Sequence, residues 1–351
     1  MSGTPNARIL LSAQTLAPGN GGVGAVARMT VMALAPRFSM QALACQDVMG
    51  GSIDGVDVRG FSNRRLAFAA ANLRGTRRAT HVIYDHAGTA RAHVDLPLVG
   101  RPYAVWLHGW EVWHEPRADY IRALRGAHLV LANSNYTVRR AGAALSGMRV
   151  VVCELGTHSD SAPPQAPSEG PSTVMLLGRA DEMFAKGHDI LIDIWPAVVS
   201  AVPDARLILV GGGPALGRLQ KLVAASPARG AIEVAGFVPD EALDGYWRRA
   251  TVFAMPGFAE GFGLVYAEAM RRAVPVIAST DDGGQEVNVE GVTGFNVARR
   301  DTHRLTDVVV SLLRDRDHVR ALGAAAQTRW RDRYRFSAFT QRLMTATADF
   351  L

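Results

Sequence analysis

Short apolar runs of strand-forming residues alternate with longer stretches of helical period along this chain, and the alternation is interrupted only once. That pattern is what a parallel sheet wrapped by helices requires, because each parallel strand needs a crossover before the next can lie beside it. In the first half, strands are expected at 9–13, 40–45, 56–61, 81–84, 103–107, 128–132 and 150–154, with helices such as 23–35, 117–125 and 136–145 between them. The break is THSDSAPPQAPSEGPS, residues 157–172, whose Pro, Ser and acidic residues neither extend a helix nor join a sheet. Afterwards strands are expected at 173–177, 206–210, 232–235, 252–255 and 274–278, with helices at 189–201, 216–225, 240–249 and 262–272. From residue 301 onward two or three helices follow, with Trp330, Tyr334, Phe336, Phe339 and Phe350 as apolar anchors.

A length of 351 residues suits two cores, since a single core rarely grows past roughly 250 to 300 residues. The expected division is a first domain at 1–156, a linker at 157–172 and a second domain at 173–335. Two doubly wound, Rossmann-like α/β domains facing across a cleft would bring their ligands to the strand C-terminal ends.

Composition narrows the function classes. Apolar residues at 48% and charged residues at 20% fit an ordinary globular protein. No apolar run approaches the roughly 18 residues of a membrane span, and MSGTPNAR has no signal-peptide core, so the cytoplasm is the expected compartment. Cys45 and Cys153 lie in no zinc-type cluster and read as buried apolar residues. Residues 1–160 hold 17 Arg against 10 Asp and Glu, a balance of +7, and residues 161–351 hold 21 Lys and Arg against 22 acids, a balance of −1. The basic first half suits peripheral contact with an anionic membrane, at the inner face of the cell membrane, or a phosphorylated acceptor; nothing in it suggests nucleic acid.

The chemistry concentrates in PGFAEGFGLVYAEAM, residues 256–270. Glu260 stands just before the expected helix and Glu268 two turns inside it. Gly261 and Gly263 let a ligand approach the backbone, and the free amides of the first turn, across Phe262, Leu264 and Val265, suit a diphosphate. In LLGRADEMFAKGHDILI, residues 176–192, Arg179 follows the first strand of the second domain and Lys186 precedes its first helix. Fixed cations there would stabilise a departing nucleoside diphosphate where other enzymes use Mg²⁺. No D-x-D pair is expected to hold such a metal, so neither metal nor cofactor is expected.

These residues resemble the retaining GT-B glycosyltransferases of family 4, which build bacterial surface polysaccharides and glycolipids. The resemblance spans nearly the whole chain. It rests on GGVG at Gly21, Gly22, Val23 and Gly24, on His108 in WLHGW, on Arg179 and Lys186, on the E-x7-E pair Glu260 and Glu268, and on GGQEVNVEGVTGF at 283–295. It implies that Arg179 and Lys186 contact the donor phosphates, Glu260 the transferred sugar and Glu268 the ribose. Gly22 and Val23 would then close over the diphosphate, and His108 would lie beside the anomeric carbon. The implied reaction is front-face transfer of a hexose from GDP-mannose or a UDP-hexose to a glycan or lipid-linked acceptor, with retention and without a covalent glycosyl-enzyme. The resemblance also implies that residues 336–351 cross back onto the first domain. Ala273 departs from the pattern, standing where the family commonly has glycine.

Trp106, Trp110 and Trp113 surround His108 in sequence, and flat aromatic faces suit a sugar or lipid-linked acceptor. Trp110, Trp113 and Glu111 are accordingly the candidate acceptor contacts. Three rival readings compete. GNGGVG at 19–24, with Asp47 after the next strand, also satisfies a dinucleotide fingerprint, although residues 14–18 make its turn too long. A nucleotide-sugar 2-epimerase or a non-catalytic nucleotide-sugar binder would use the same architecture.

Overall fold

In a computed structural model of the chain, residues 7–94, 100–113, 115–163 and 170–351 are described. The chain divides into two compact units, one of residues 1–158 with 336–351 and one of residues 159–335. Of the expected linker, residues 164–169 lie outside the described residues.

Among its described residues the first unit holds an eight-stranded sheet: β1 (Arg8–Ala13), β2 (Ser39–Ala44), β3 (Gly51–Ile53), β4 (Val56–Gly60), β5 (His81–Tyr84), β6 (Tyr103–Leu107), β7 (Leu129–Ala132) and β8 (Val150–Val152). The order is β3-β4-β2-β1-β5-β6-β7-β8. All neighbours run parallel except β3, which pairs antiparallel with β4. The chain steps outward from β1 in one direction and then resumes from β5 in the other, so the switch point lies between β1 and β5, where ligands collect in such sheets. β6 and β7 are buried at every residue, as strands covered by helices on both faces must be.

The helix Phe336–Thr347 belongs to this unit and buries Phe339, Leu343 and Thr347. Phe339 stacks on Trp106 with ring centroids 6.3 Å apart. Arg342 donates through Nε to the carbonyl of Glu154 and through Nη2 to that of Leu155, both at 3.0 Å. Cys153 is buried, which pushes its thiol up to about 12. Cys45 is only half-buried, less than its expected place in the core.

The second unit holds six strands among its described residues: β9 (Thr173–Leu177), β10 (Arg206–Val210), β11 (Ile232–Gly236), β12 (Val252–Ala254), β13 (Val276–Ser279) and β14 (Gly294–Val297). Their order β11-β10-β9-β12-β13-β14 is the doubly wound order of a Rossmann-type sheet, with its switch point between β9 and β12. The loop after β9 carries Arg179 and Lys186, and the loop after β12 carries Glu260. Ala273 sits at φ 50°, a left-handed backbone that costs a side-chain-bearing residue about 1 kcal/mol. That geometry explains why glycine suits this position.

Candidate active site

Lys186 and Glu260 meet at the switch point of the second unit. The Lys186 ammonium donates to Glu260 Oε2, and the two side chains are 22% and 23% exposed. Burial alone would lower the Lys186 pKa, but the facing carboxylate outweighs it and raises it. Burial would likewise raise Glu260, yet Lys186 and the amides of Phe262 and Gly261 hold it below the usual carboxylate range. The result is a charged pair that stays charged near neutrality.

Backbone packing fixes this pair. The Lys186 stem lies where a Cβ on Gly178 would be, 3.0 Å from its Cγ. Gly187, at φ 86°, presses on Pro256 so closely that a Cβ would stand 2.5 Å from its carbonyl oxygen. Phe258 N–H donates to Ala185 O at 3.0 Å. Gly211 and Gly213, at φ 131° and 153°, bring a third loop onto the backbone of residues 178–180, where Ala180 N–H donates to Gly212 O at 3.0 Å. Arg179 itself is exposed, and its guanidinium forms no hydrogen bond or ion pair with the described residues.

The helix behind Glu260 starts two residues later than its apolar pattern suggests. It spans Leu264–Arg271 because Gly263, its N-cap, turns left-handed at φ 88°. Glu268 is therefore its fifth residue, one turn in rather than two. Two further corrections follow. The Phe262 side chain is buried and packs edge-on against Tyr334, centroids 5.8 Å apart, so only its backbone can serve a ligand. The amides of Gly261 and Phe262 already bond the Glu260 carboxylate, whereas those of Leu264 and Val265, in the first turn, have no intrahelical partners. Glu268 is half-buried, and its pKa is raised by burial against the opposing pull of Arg272 and Arg271.

Two features of this unit, Tyr266 and Asp282, were missed at the sequence level. Tyr266 is fully buried, donates to Met255 O at 2.8 Å, and fills the space that side chains on Gly263 and Gly284 would occupy. Asp282 is buried behind the loop of Glu260. Phe237, just past β11, stands 70% exposed. The D-x-D triplet that the chain does contain, Asp315 to Asp317, lies at a helix start away from these loops: Asp315 caps the amide of His318 and Asp317 pairs with Arg320.

In the first unit the loops after β1, β5 and β6 hold the candidate residues. Gly21 to Gly24 form the first turn of the helix Gly21–Leu34. Gly24 packs on Thr15, whose Cγ2 would lie 3.1 Å from a Cβ, whereas nothing crowds Gly21 or Gly22. Asp47 is not poised for a ribose: Thr15 Oγ1 donates to its Oδ1 at 2.6 Å and Leu16 N–H to its Oδ2 at 2.9 Å. This removes the dinucleotide reading. His108 follows β6 and donates through Nε2 to the carbonyl of Asp85 at 2.8 Å.

Glu111 anchors its own loop, accepting from Gly109 N–H at 2.8 Å and from His108 N–H at 3.2 Å. Trp113 packs partly into the core, with Arg140 over its ring and Gly109 at φ 121° making room for it. Trp106 is wholly core. Of the three tryptophans, Trp110 is the surface one, at 45% exposure. Asp85 and His86, at the switch point itself, were also missed: His86 Nδ1 lies 3.1 Å from Asp85 Oδ1, and Gln14 N–H donates to Asp85 Oδ2 at 2.7 Å.

Residues 159–329 match the family described as Glycosyl transferases group 1. The chain is 36% identical over 186 residues to a GDP-mannose-dependent alpha-(1-6)-phosphatidylinositol monomannoside mannosyltransferase of Mycobacterium tuberculosis, 51% of this chain and 47% of that protein. It is 30% identical over 238 residues to a GDP-mannose-dependent monoacylated alpha-(1-6)-phosphatidylinositol monomannoside mannosyltransferase of Corynebacterium glutamicum, 62% and 61% of the two chains. The chain thus spans about half to three-fifths of the length of these relatives. Among solved structures, HepE of Anabaena in complex with UDP and glucose superposes with a TM-score of 0.83 at 20% identity, covering 98% of this chain and 100% of that one. Sucrose-phosphate synthase from Thermosynechococcus elongatus gives 0.81 at 18%, covering 98% and 99%. With its fold of two parallel-sheet α/β units the chain has the architecture of GT-B glycosyltransferases, and its segment 159–329 matches the glycosyl transferases group 1.

Proposed function

We propose that the protein is a retaining, metal-independent glycosyltransferase that moves a hexose from a nucleotide diphosphate sugar to a glycan or lipid-linked acceptor. The observation that carries this reading is the Lys186–Glu260 pair at the switch point of a doubly wound sheet, with Glu260 three residues before the glycine cap of the helix Leu264–Arg271. In this reading Lys186, Arg179 and the amides of Leu264 and Val265 hold the diphosphate, and the charge that builds on the leaving phosphate meets fixed donors without reorganisation. Glu260 binds hydroxyls of the transferred sugar, Glu268 the ribose, and Phe237 offers a flat face to the base. The roles expected of Gly22, Val23 and His108 are part of the same proposal, with Trp110 as an acceptor contact.

GDP-mannose is the first donor to test, because the curated relatives are mannosyltransferases named for it, with UDP-glucose second. Thermal-shift measurements with GDP, UDP and ADP identify the base. Incubation with radiolabelled nucleotide sugars then separates the rival chemistries: transfer labels an acceptor, epimerisation yields a new nucleotide sugar, and a binder leaves the donor unchanged. Retention predicts an α-linked product from an α-linked donor, read by the one-bond coupling between C1 and H1 of the transferred sugar. A β-linked product would refute it.

We also propose that the first unit meets an anionic membrane surface. Residues 58–84 hold Arg59, Arg64, Arg65, Arg74, Arg77 and Arg78 and no acidic residue, and Leu66, on the helix Arg65–Arg78, is 89% exposed. Such a face adds apolar insertion to charge attraction. Among the described residues no helix is long and apolar enough to cross a membrane. The expected result is sedimentation with phosphatidylglycerol vesicles that is lost on replacing Arg74, Arg77 and Arg78 by Ser, and sedimentation unaffected by that change would end the idea.

A further inference from the structure

Asp282 is a buried acid that the roles above do not use. It lies in the loop after β13 with no solvent exposure. Its Oδ1 accepts from Gly284 N–H at 2.9 Å, while Oδ2 has no hydrogen-bond partner. The loop is tied to the Glu260 segment by Gly283 N–H donating to Glu260 O at 2.7 Å. It also backs onto the Lys186 segment: the position of a Cβ on Gly257 lies 3.3 Å from Asp282 Oδ2 and 3.3 Å from Lys186 Cα. A carboxyl group with one oxygen unpartnered therefore sits directly behind the pair.

We propose that Asp282 is a positioning residue of the donor site, a carboxyl group kept uncharged so that the Lys186 ammonium, already facing Glu260, retains its pull on an anionic diphosphate. The inference rests on the donor-site reading above. Lys186 and Glu260 together carry no net charge, and a neutral Asp282 leaves the trio at zero. Ionising it would make the trio −1 just where a diphosphate has to bind. Burial and the Glu260 carboxylate favour the proton, Gly284 N–H and Lys186 oppose it, Asp281 adds to it, and the group is pushed up to about 8.

The surrounding groups leave Asp282 to titrate in this range. Asp281 accepts from the amide of Arg299 at 2.9 Å. Asp181 holds the loop of Lys186 through the amides of Met183 and Ala185. Tyr266 is held well above its ordinary range by burial, and buried His188 is lowered to about 4. Donor affinity should then fall as pH rises through about 8, because binding favours the protonated site.

The test is calorimetric titration of the full chain with GDP-mannose, UDP-glucose and ADP-glucose between pH 6.5 and 9, using wild type and Asp282→Asn. Ionisation of the base is common to both proteins and cancels in their comparison. The expected result is a wild-type affinity about tenfold weaker at pH 9 than at pH 6.5, relative to the variant, one pK unit of linkage being a factor of ten. A ratio that does not change with pH overturns the proposal. Binding of none of the three nucleotides at any pH overturns the donor-site reading, and this inference with it.

Should the variant fail to fold, wild type alone decides: titration at pH 8.5 in two buffers of different ionisation enthalpy shows proton uptake on binding if the proposal holds, and none if it is wrong. Without nucleotide there is a second readout. The folded acid keeps its proton from the ordinary carboxylate range up to about pH 8 while the unfolded one loses it, so wild-type melting temperature falls relative to Asp282→Asn across that window and runs parallel above it. Parallel curves throughout would count against a neutral Asp282.

Discussion

Lys186→Ala lowers turnover by about a hundredfold or more, the loss expected when a preorganised donor to a developing charge is removed, equivalent to about 2.7 kcal/mol of transition-state stabilisation. Two explanations for such a loss must be separated. Lys186 touches Glu260 directly, so removing it also leaves a mostly buried carboxylate with only the amides of Gly261 and Phe262, which is costly in its own right. The double variant Lys186→Met with Glu260→Gln removes both charges and relieves that penalty. If Lys186 contacts the phosphate, the double variant remains at least as impaired as the single one, in kcat and in donor affinity. Recovery of turnover in the double variant would reduce Lys186 to a counter-ion for Glu260. Lys186→Arg is not a safe control, because a planar guanidinium fork does not reproduce the compact ammonium that meets Glu260 Oε2.

Phe339→Ala destabilises the first unit by about 3 to 5 kcal/mol, the usual cost of truncating a buried aromatic ring. The ring is fully buried, stacks on Trp106 and lies 6.4 Å from Phe336, so its removal opens a cavity beside a tryptophan whose indole N–H donates to Thr30 Oγ1 at 3.1 Å. Hydrogen exchange localises the damage. Amides of β1, β5 and β6 should lose protection while those of β9 and β10 keep theirs. Equal loss in both sets would mean that the helix Phe336–Thr347 supports more than the first unit.

Most of the sheet was legible because parallel strands covered on both faces read as unbroken apolar runs. β5, β6, β9 and β10 fall at the expected residues, and the other expected strands lie within two. The missing elements share a physical cause. The helix Arg65–Arg78 buries Phe68 but otherwise small or polar residues, Ala71, Asn72, Gly75 and Thr76, so its inward face carries little apolar period. Gly75 is there because the Leu10 side chain occupies the place of its Cβ. β14 opens on Gly294, at φ 150° and pressed against Val276, and its side chains give no strand alternation. β3 is three residues long.

The site was legible to the degree that it is written in glycine and charge at strand ends, as at Gly261, Gly263, Lys186 and Glu260. What was not legible depends on which way a side chain turns. Glu111 folds back onto its own loop, Phe262 turns into the core, and Asp47 spends both oxygens on Thr15 and Leu16. Asp282 sits among ordinary loop residues, and only burial distinguishes it.

Because residues 336–351 complete the first unit, that unit is assembled from parts of the chain that leave the ribosome before and after residues 159–335. During synthesis the whole of residues 159–335 emerges before Phe339 and Leu343 are available, so the second unit can close first while the strands β1 to β8 wait with Trp106 uncovered. That interval, several seconds or more at about 5 to 20 residues per second, is when an apolar sheet face is open to chaperones or to misassociation, and a nascent chain stalled before residue 336 would remain in that condition.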